Sequence, residues 1–126
     1  MTLEELNKRT GIIVDAAMKV HSELGPGLLE SAYETCLAYE LRKRGLKVET
    51  QVRLPIIYDG VRMKKAYRID MRVEGEIVVE NKACSSLTPV DHAQVLSNLK
   101  LSHHRVALMI NYHVRHLKDG IHRYMN

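Results

Sequence analysis

The stretch YRIDMRVEGEIVVENKA, Tyr67 to Ala83, alternates apolar and charged residues on both sides of Gly75, and it restricts the fold more than any other segment. Successive side chains of a strand point to opposite faces, so this period of two reads as a β-hairpin. A turn centred on Gly75 pairs Val73 with Ile77, Met71 with Val79, and Asp70 with Glu80. In that register Ile69, Met71, Val73, Ile77, Val79, Asn81 and Ala83 share one face. Arg68, Asp70, Arg72, Val78, Glu80 and Lys82 share the other. A one-residue slip would turn the apolar set to the wrong side, so the register is strongly specified.

Two carboxylates and an ammonium therefore converge. Like charges directly opposed in a sheet are destabilising. A divalent cation between them would offset the repulsion, and oxygen ligands suit Mg²⁺ or Mn²⁺. Lys82 would then stand where it polarises a water or steadies developing negative charge. That is a plan for metal-assisted hydrolysis of a phosphodiester. On pattern alone, a solvated strand face with weak surface ion pairs is the simpler reading of the same residues.

The flanking segments supply the rest of an α/β domain. Leu3, Leu6, Ile13, Ala17, Val20 and Leu24 recur at helical spacing, with Gly11 a weak point that would tilt or fray the first turns. The Gly25-Pro26-Gly27 stop separates this helix from a second, Leu28 to Gly45, with basic residues crowding its last turn. Lys47 to Val61 reads as a strand, with Pro55 at an edge or bulge and an Asp59–Gly60 turn. After the hairpin, Thr88 and Pro89 read as the N-cap and first residue of a helix. RVALMINY is a buried strand, parallel to an earlier one because a helical crossover precedes it. The tail LKDGIHRYMN is ambiguous. The predicted order is α-α-β-β-β-α-β, a mixed β-sheet flanked by helices in one domain over residues 1–126.

Asp70, nine intervening residues and then Glu80-Asn81-Lys82 resemble the core of the PD-(D/E)XK nucleases, with Ile69 before the Asp. GLLESAY resembles the GxxExxY signature through Gly27, Glu30 and Tyr33. The similarity to GxxExxY-family proteins runs over almost the whole chain, through ESAYETCLAYELRKRGLKVETQ, YRIDMRV, VVENKA, HAQVLSNLKL and LKDGIHR. The resemblance implies a restriction-endonuclease-like core that hydrolyses nucleic-acid phosphodiester bonds with Mg²⁺ or Mn²⁺. It implies Asp70 and Glu80 as metal ligands, Glu30 as a further acid beside the metal, and Lys82 as the catalytic lysine. Gln94 resembles the Gln of a QxxxY motif, with Asn98 where that motif has Tyr. The alternative is a nuclease-fold module of weak or no activity that holds nucleic acid or a protein partner. Asn81 is polar where an apolar residue is usual, so on the far face of the sheet it needs a hydrogen-bond partner.

Other features bound the function more loosely. The formal charge of +4 suits an anionic partner. Lys64, Lys65, Arg68 and Arg72 lie close enough to the hairpin site to touch phosphates, whereas Arg42, Lys43 and Arg44 read as a solvated helix end. Tyr33 reads as a packing residue with its hydroxyl near the site, and Glu30 equally suits a helix first turn. His92 lies near enough to reach a phosphate, but the seven histidines and two cysteines form no zinc spacing. Cys36 and Cys84 read as reduced thiols of a cytoplasmic protein, and no apolar run approaches a membrane span. No base-reading module is evident, which predicts little sequence specificity. A lone site cuts one strand at a time, so a homodimer would serve cleavage of a duplex.

Overall fold

The computed structural model describes residues 1–126. Helix α1 spans Leu3–Leu24, α2 Glu30–Lys43 and α3 Pro89–Ser102; the strands are β1 Val48–Tyr58, β2 Val61–Val73, β3 Ile77–Lys82, β4 Val106–Asn111 and β5 Ile121–Met125. α1 runs unbroken through Gly11, against the expected fraying. A reciprocal Thr2–Glu5 capping box closes its first turn, and Leu6, Thr10 and Ile13 are buried around the glycine. Gly25 ends it at φ +74°, a conformation that only glycine adopts at low cost. No helix is long and apolar enough to cross a membrane.

The sheet has the strand order β1-β2-β3-β4-β5. β3 and β4 are parallel and the other neighbouring pairs antiparallel, as the α3 crossover requires. α1 and α2 cover one face over a core that includes Met71, Val73, Ile77, Val79, Val106, Leu108 and Ile110. α3 covers the other through Val95 and Leu99, which pack on Ile69, Val78, Ala107 and Met109. Alternate residues of β3 and β4 thus serve two cores, which is why both strands are almost wholly buried.

The tail adds an element that its sequence left open. After a 3₁₀ turn at Leu117–Gly120, β5 pairs antiparallel with β4, making the order α-α-β-β-β-α-β-β. The polar alternation of IHRYM hides this edge strand. Gly120 lets the chain turn back: a Cβ there would lie 2.1 Å from the carbonyl oxygen of Asn111, which no side chain tolerates.

Two of the three predicted hairpin pairs form, Val73 opposite Ile77 and Met71 opposite Val79, whereas Asp70 and Glu80 lie beyond the end of the ladder. The predicted division of faces holds only as far as Met71. Ile69 lies in the α3-side core with Val52, Leu54 and Tyr67 packed against it, while Met71 and Val73 lie in the α1–α2 core. The faces invert where Gln51 and Asp70 stand opposite one another without regular pairing, between Thr50↔Met71 and Val52↔Ile69. Gln51 adopts φ +53° there. A non-glycine residue in that region costs about 1–3 kcal/mol and persists only where its surroundings hold it.

Candidate active site

The inversion places Asp70 at a junction. The β2–β3 ladder stops at Met71↔Val79, and side chains take over from backbone pairing. The N–H of Asn81 donates to Asp70 Oδ2 at 2.8 Å, and the N–H of Asp70 donates to Glu80 Oε1 at 3.4 Å. Asp70 borders two hollows. One, of about 180 Å³, lies toward α2 and is lined by Glu30, Ser31, Glu34, Gln51, Arg68, Asp70 and Asn81. The other, of about 150 Å³, lies toward α3 and brings together Asp70, Glu80, Lys82, Gln94 and Asn98.

Four of the five sequence-predicted site residues thus share one hollow, and Glu30 faces Asp70 from the adjoining one. Glu80 is 8% exposed. Its burial, then the charge and hydrogen bonding of Asp70, push its pKa up to about 8. Glu30 is also raised, first by partial burial; Lys82 opposes the shift, and Asp70 and Asp91 add to it. These residues feel one another electrostatically without closing up: nowhere do three His, Cys, Asp or Glu side chains form a ready-made metal cage.

The donor set nonetheless fits a hard divalent cation. Mg²⁺ keeps several of its waters and is commonly held by only one or two carboxylates. A carboxyl kept neutral by burial and a like charge is one that a cation would ionise. Asp70 and Glu80 are the side chains that would hold such an ion, and Glu30 would add negative charge from the adjoining hollow.

Each element orients its contribution through local chemistry. The Tyr33 hydroxyl donates to Gly25 O at 2.5 Å and accepts from the Leu28 N–H at 3.0 Å. It therefore pins the turn that launches α2 and so fixes where Glu30 emerges; it does not face the site, as the sequence had suggested. The Tyr33 ring stacks on Tyr112, with centroids 4.3 Å apart. Tyr112 supplies the partner that Asn81 requires, its hydroxyl donating to Asn81 Oδ1 at 3.1 Å. The Asn81 amide also lies 3.2 Å from the Met71 sulfur.

Three contributors escaped the sequence reading. Glu34, one turn after Glu30, accepts both oxygens' worth of hydrogen bonds from Gln51, at 2.8 and 3.1 Å. Its i, i+4 relation to Glu30 was the available signal. Gln51 carried no signal, because its position depends on the left-handed kink. Asp91 closes a capping box with Thr88 and lies 4.0 Å from Lys82, so the start of α3 steadies the lysine. Conversely, Arg72 is not a free phosphate ligand. Glu49 holds its guanidinium with two hydrogen bonds of 3.0 and 2.7 Å. His92 turns instead to the Tyr124 hydroxyl and the His122 ring.

No curated protein and no solved structure matches this chain. The family model of the PD-(D/E)XK nuclease superfamily matches residues 7–124, a span that includes α1 from Asn7 onward, α2, α3, all of the sheet but Met125, and every residue of the two hollows. On that match the chain belongs to the PD-(D/E)XK nuclease superfamily.

Proposed function

We propose that the protein hydrolyses nucleic-acid phosphodiester bonds with Mg²⁺ or Mn²⁺. The observation that carries this reading is the single hollow shared by Asp70, a buried Glu80, Lys82 and Gln94. A surface of solvated ion pairs has no reason to bury one of two opposed acids at the cost of keeping it protonated. When bound, a divalent cation supplies Lewis-acid charge at the phosphoryl oxygen and a more acidic water.

The chain's own residues do the rest. Asp70 and Glu80 bind the cation, and Glu30 adds negative charge from α2. Lys82, steadied by Asp91, donates a hydrogen bond to the attacking water or to the oxygen that gains charge. Gln94 orients the same water or phosphate through its amide. Asn98, one turn further along α3, extends that polar wall with an amide in place of a phenol.

A second reading has its own support. The Asn at position 98, where the related motif has Tyr, suits a nuclease-fold module of weak or no activity that holds nucleic acid or a protein partner. Labelled single- and double-stranded DNA and RNA, incubated with Mg²⁺, Mn²⁺ or EDTA, separate the two. Metal-dependent cutting that falls ~10²-fold or more in Lys82→Ala and Asp70→Ala supports hydrolysis. No cutting by the native protein, or equal cutting by both variants, leaves the binding module.

A further inference from the structure

Residues 51–70 form a two-stranded ribbon that leaves the sheet. Beyond Met71, β2 has no neighbour but β1. Val52, Leu54, Tyr67 and Ile69 at its base pack beneath α3, but every residue from Ile57 to Ala66 is exposed. A bare two-stranded ribbon is marginally stable in water, so one that projects this far calls for a partner. At about 3.3 Å per residue its reach is roughly 25 Å.

The charge of the ribbon says what the partner is. Within residues 51–70, Arg53, Arg62, Lys64, Lys65 and Arg68 stand against Asp59 and the site's own Asp70, so these twenty residues carry +3 of the chain's formal +4, with Glu30 and Glu34 of α2 across the hollow from Arg68. None of the five cations forms an ion pair or side-chain hydrogen bond within the protein. Arg53 and Arg68 stand directly opposite one another across the strands. Like charges in that position are destabilising unless an anion lies between them. Arg68 also borders both hollows, so the positive charge of the ribbon reaches the site.

We infer that the ribbon is the arm on which a nucleic-acid duplex lies, its phosphate backbone gripped by Arg68 and Arg53 beside the site and by Arg62, Lys64 and Lys65 further out. This rests on the nuclease reading and adds to it the form of the substrate. A two-stranded ribbon fits the width of a duplex major groove, and an arm of this reach spans about seven base pairs at ~3.4 Å each. The cations contact phosphates rather than base edges, so the arm gives affinity and alignment but no sequence preference.

Binding of a labelled duplex and of the matching single strand, measured by anisotropy in EDTA over a range of salt, tests this without relying on cleavage. The logarithm of the native association constant for duplex should fall with log salt at a slope of roughly 4–5, from about 0.9 per phosphate neutralised. Arg53→Ala should lower the slope by about 1 and the triple variant Arg62→Ala/Lys64→Ala/Lys65→Ala by about 2–3, with folding unchanged by circular dichroism. Lys8→Ala, exposed on α1, should leave it unaltered. Duplex binding with an unchanged slope in the ribbon variants overturns the arm while the nuclease reading stands. So does a loss confined to the single strand, or variants that bind duplex normally but self-associate in sedimentation, which would make the charges guards of an exposed edge. No binding by the native protein overturns the arm and counts against the nuclease reading as well.

Discussion

The hydroxyl of Tyr112 donates to Asn81 Oδ1 at 3.1 Å, and both residues are fully buried. Through this bond the α1–α2 core reaches the site, because the backbone N–H of the same Asn81 holds the Asp70 carboxylate at 2.8 Å. Burial also holds the Tyr112 phenol well above its ordinary pKa, so it stays a donor throughout the physiological range.

Tyr112→Phe removes the donor and leaves the Asn81 oxygen buried without its partner. The expected cost is about 1–3 kcal/mol, read as a shift in urea midpoint at constant slope. Asn81→Leu in the same background removes the orphaned group, so the double variant should recover part of that loss. A double-mutant cycle with no coupling would show that the bond does not bear on stability.

Glu80 makes the metal-free protein sensitive to pH. Its folded pKa of about 8 lies above the 4.5 of a free Glu side chain. Between these values the native state holds a proton that the unfolded state has lost, so stability falls as pH rises. The contribution is complete below about pH 4.5 and gone above about pH 8. Denaturation in EDTA across this window should show Glu80→Gln losing less stability than the native protein. Parallel curves for the two proteins would mean that Glu80 ionises normally.

Cation binding should release a proton for the same reason. Calorimetric titration of Mg²⁺ or Mn²⁺ at neutral pH, in buffers of different ionisation enthalpy, is expected to give close to one proton released per ion in the native protein and far less in Glu80→Gln. Affinity should rise by up to ~10-fold per pH unit below pH 8. A pH-independent affinity would place the ion elsewhere.

Arg72 and Arg68 are both arginines of β2, yet their substitutions should differ in kind. Arg72→Ala breaks the bidentate pair with Glu49, which is partly exposed, for a loss of about 0.5–1 kcal/mol. It should leave the salt dependence of duplex binding unchanged. Arg68→Ala should lower that slope by about 1 with little effect on stability. A salt slope that falls equally in both variants would contradict the assignment of Arg72 to Glu49.

The chain's local patterns determined much of this protein. Period-two alternation about Gly75 specified the hairpin register at Val73–Ile77 and Met71–Val79, and so brought Asp70 and Glu80 near one another just past the end of the ladder. Thr88-Pro89 marked the start of α3, and a helix between two apolar strands required β3 and β4 to be parallel. Each of these follows from residues near one another in sequence, where periodicity and capping act. What only the tertiary structure decided depends on segments far apart. The inversion at Gln51 and Asp70 carries Ile69 to the α3 side because two cores, one on each face, compete for the same strand. Tyr112 meets Asn81, Glu34 meets Gln51, and Glu49 takes Arg72 out of the site because packing brings distant side chains together. The edge strand β5 forms only because β4 offers it a free row of backbone groups, an opportunity that its own polar sequence does not announce.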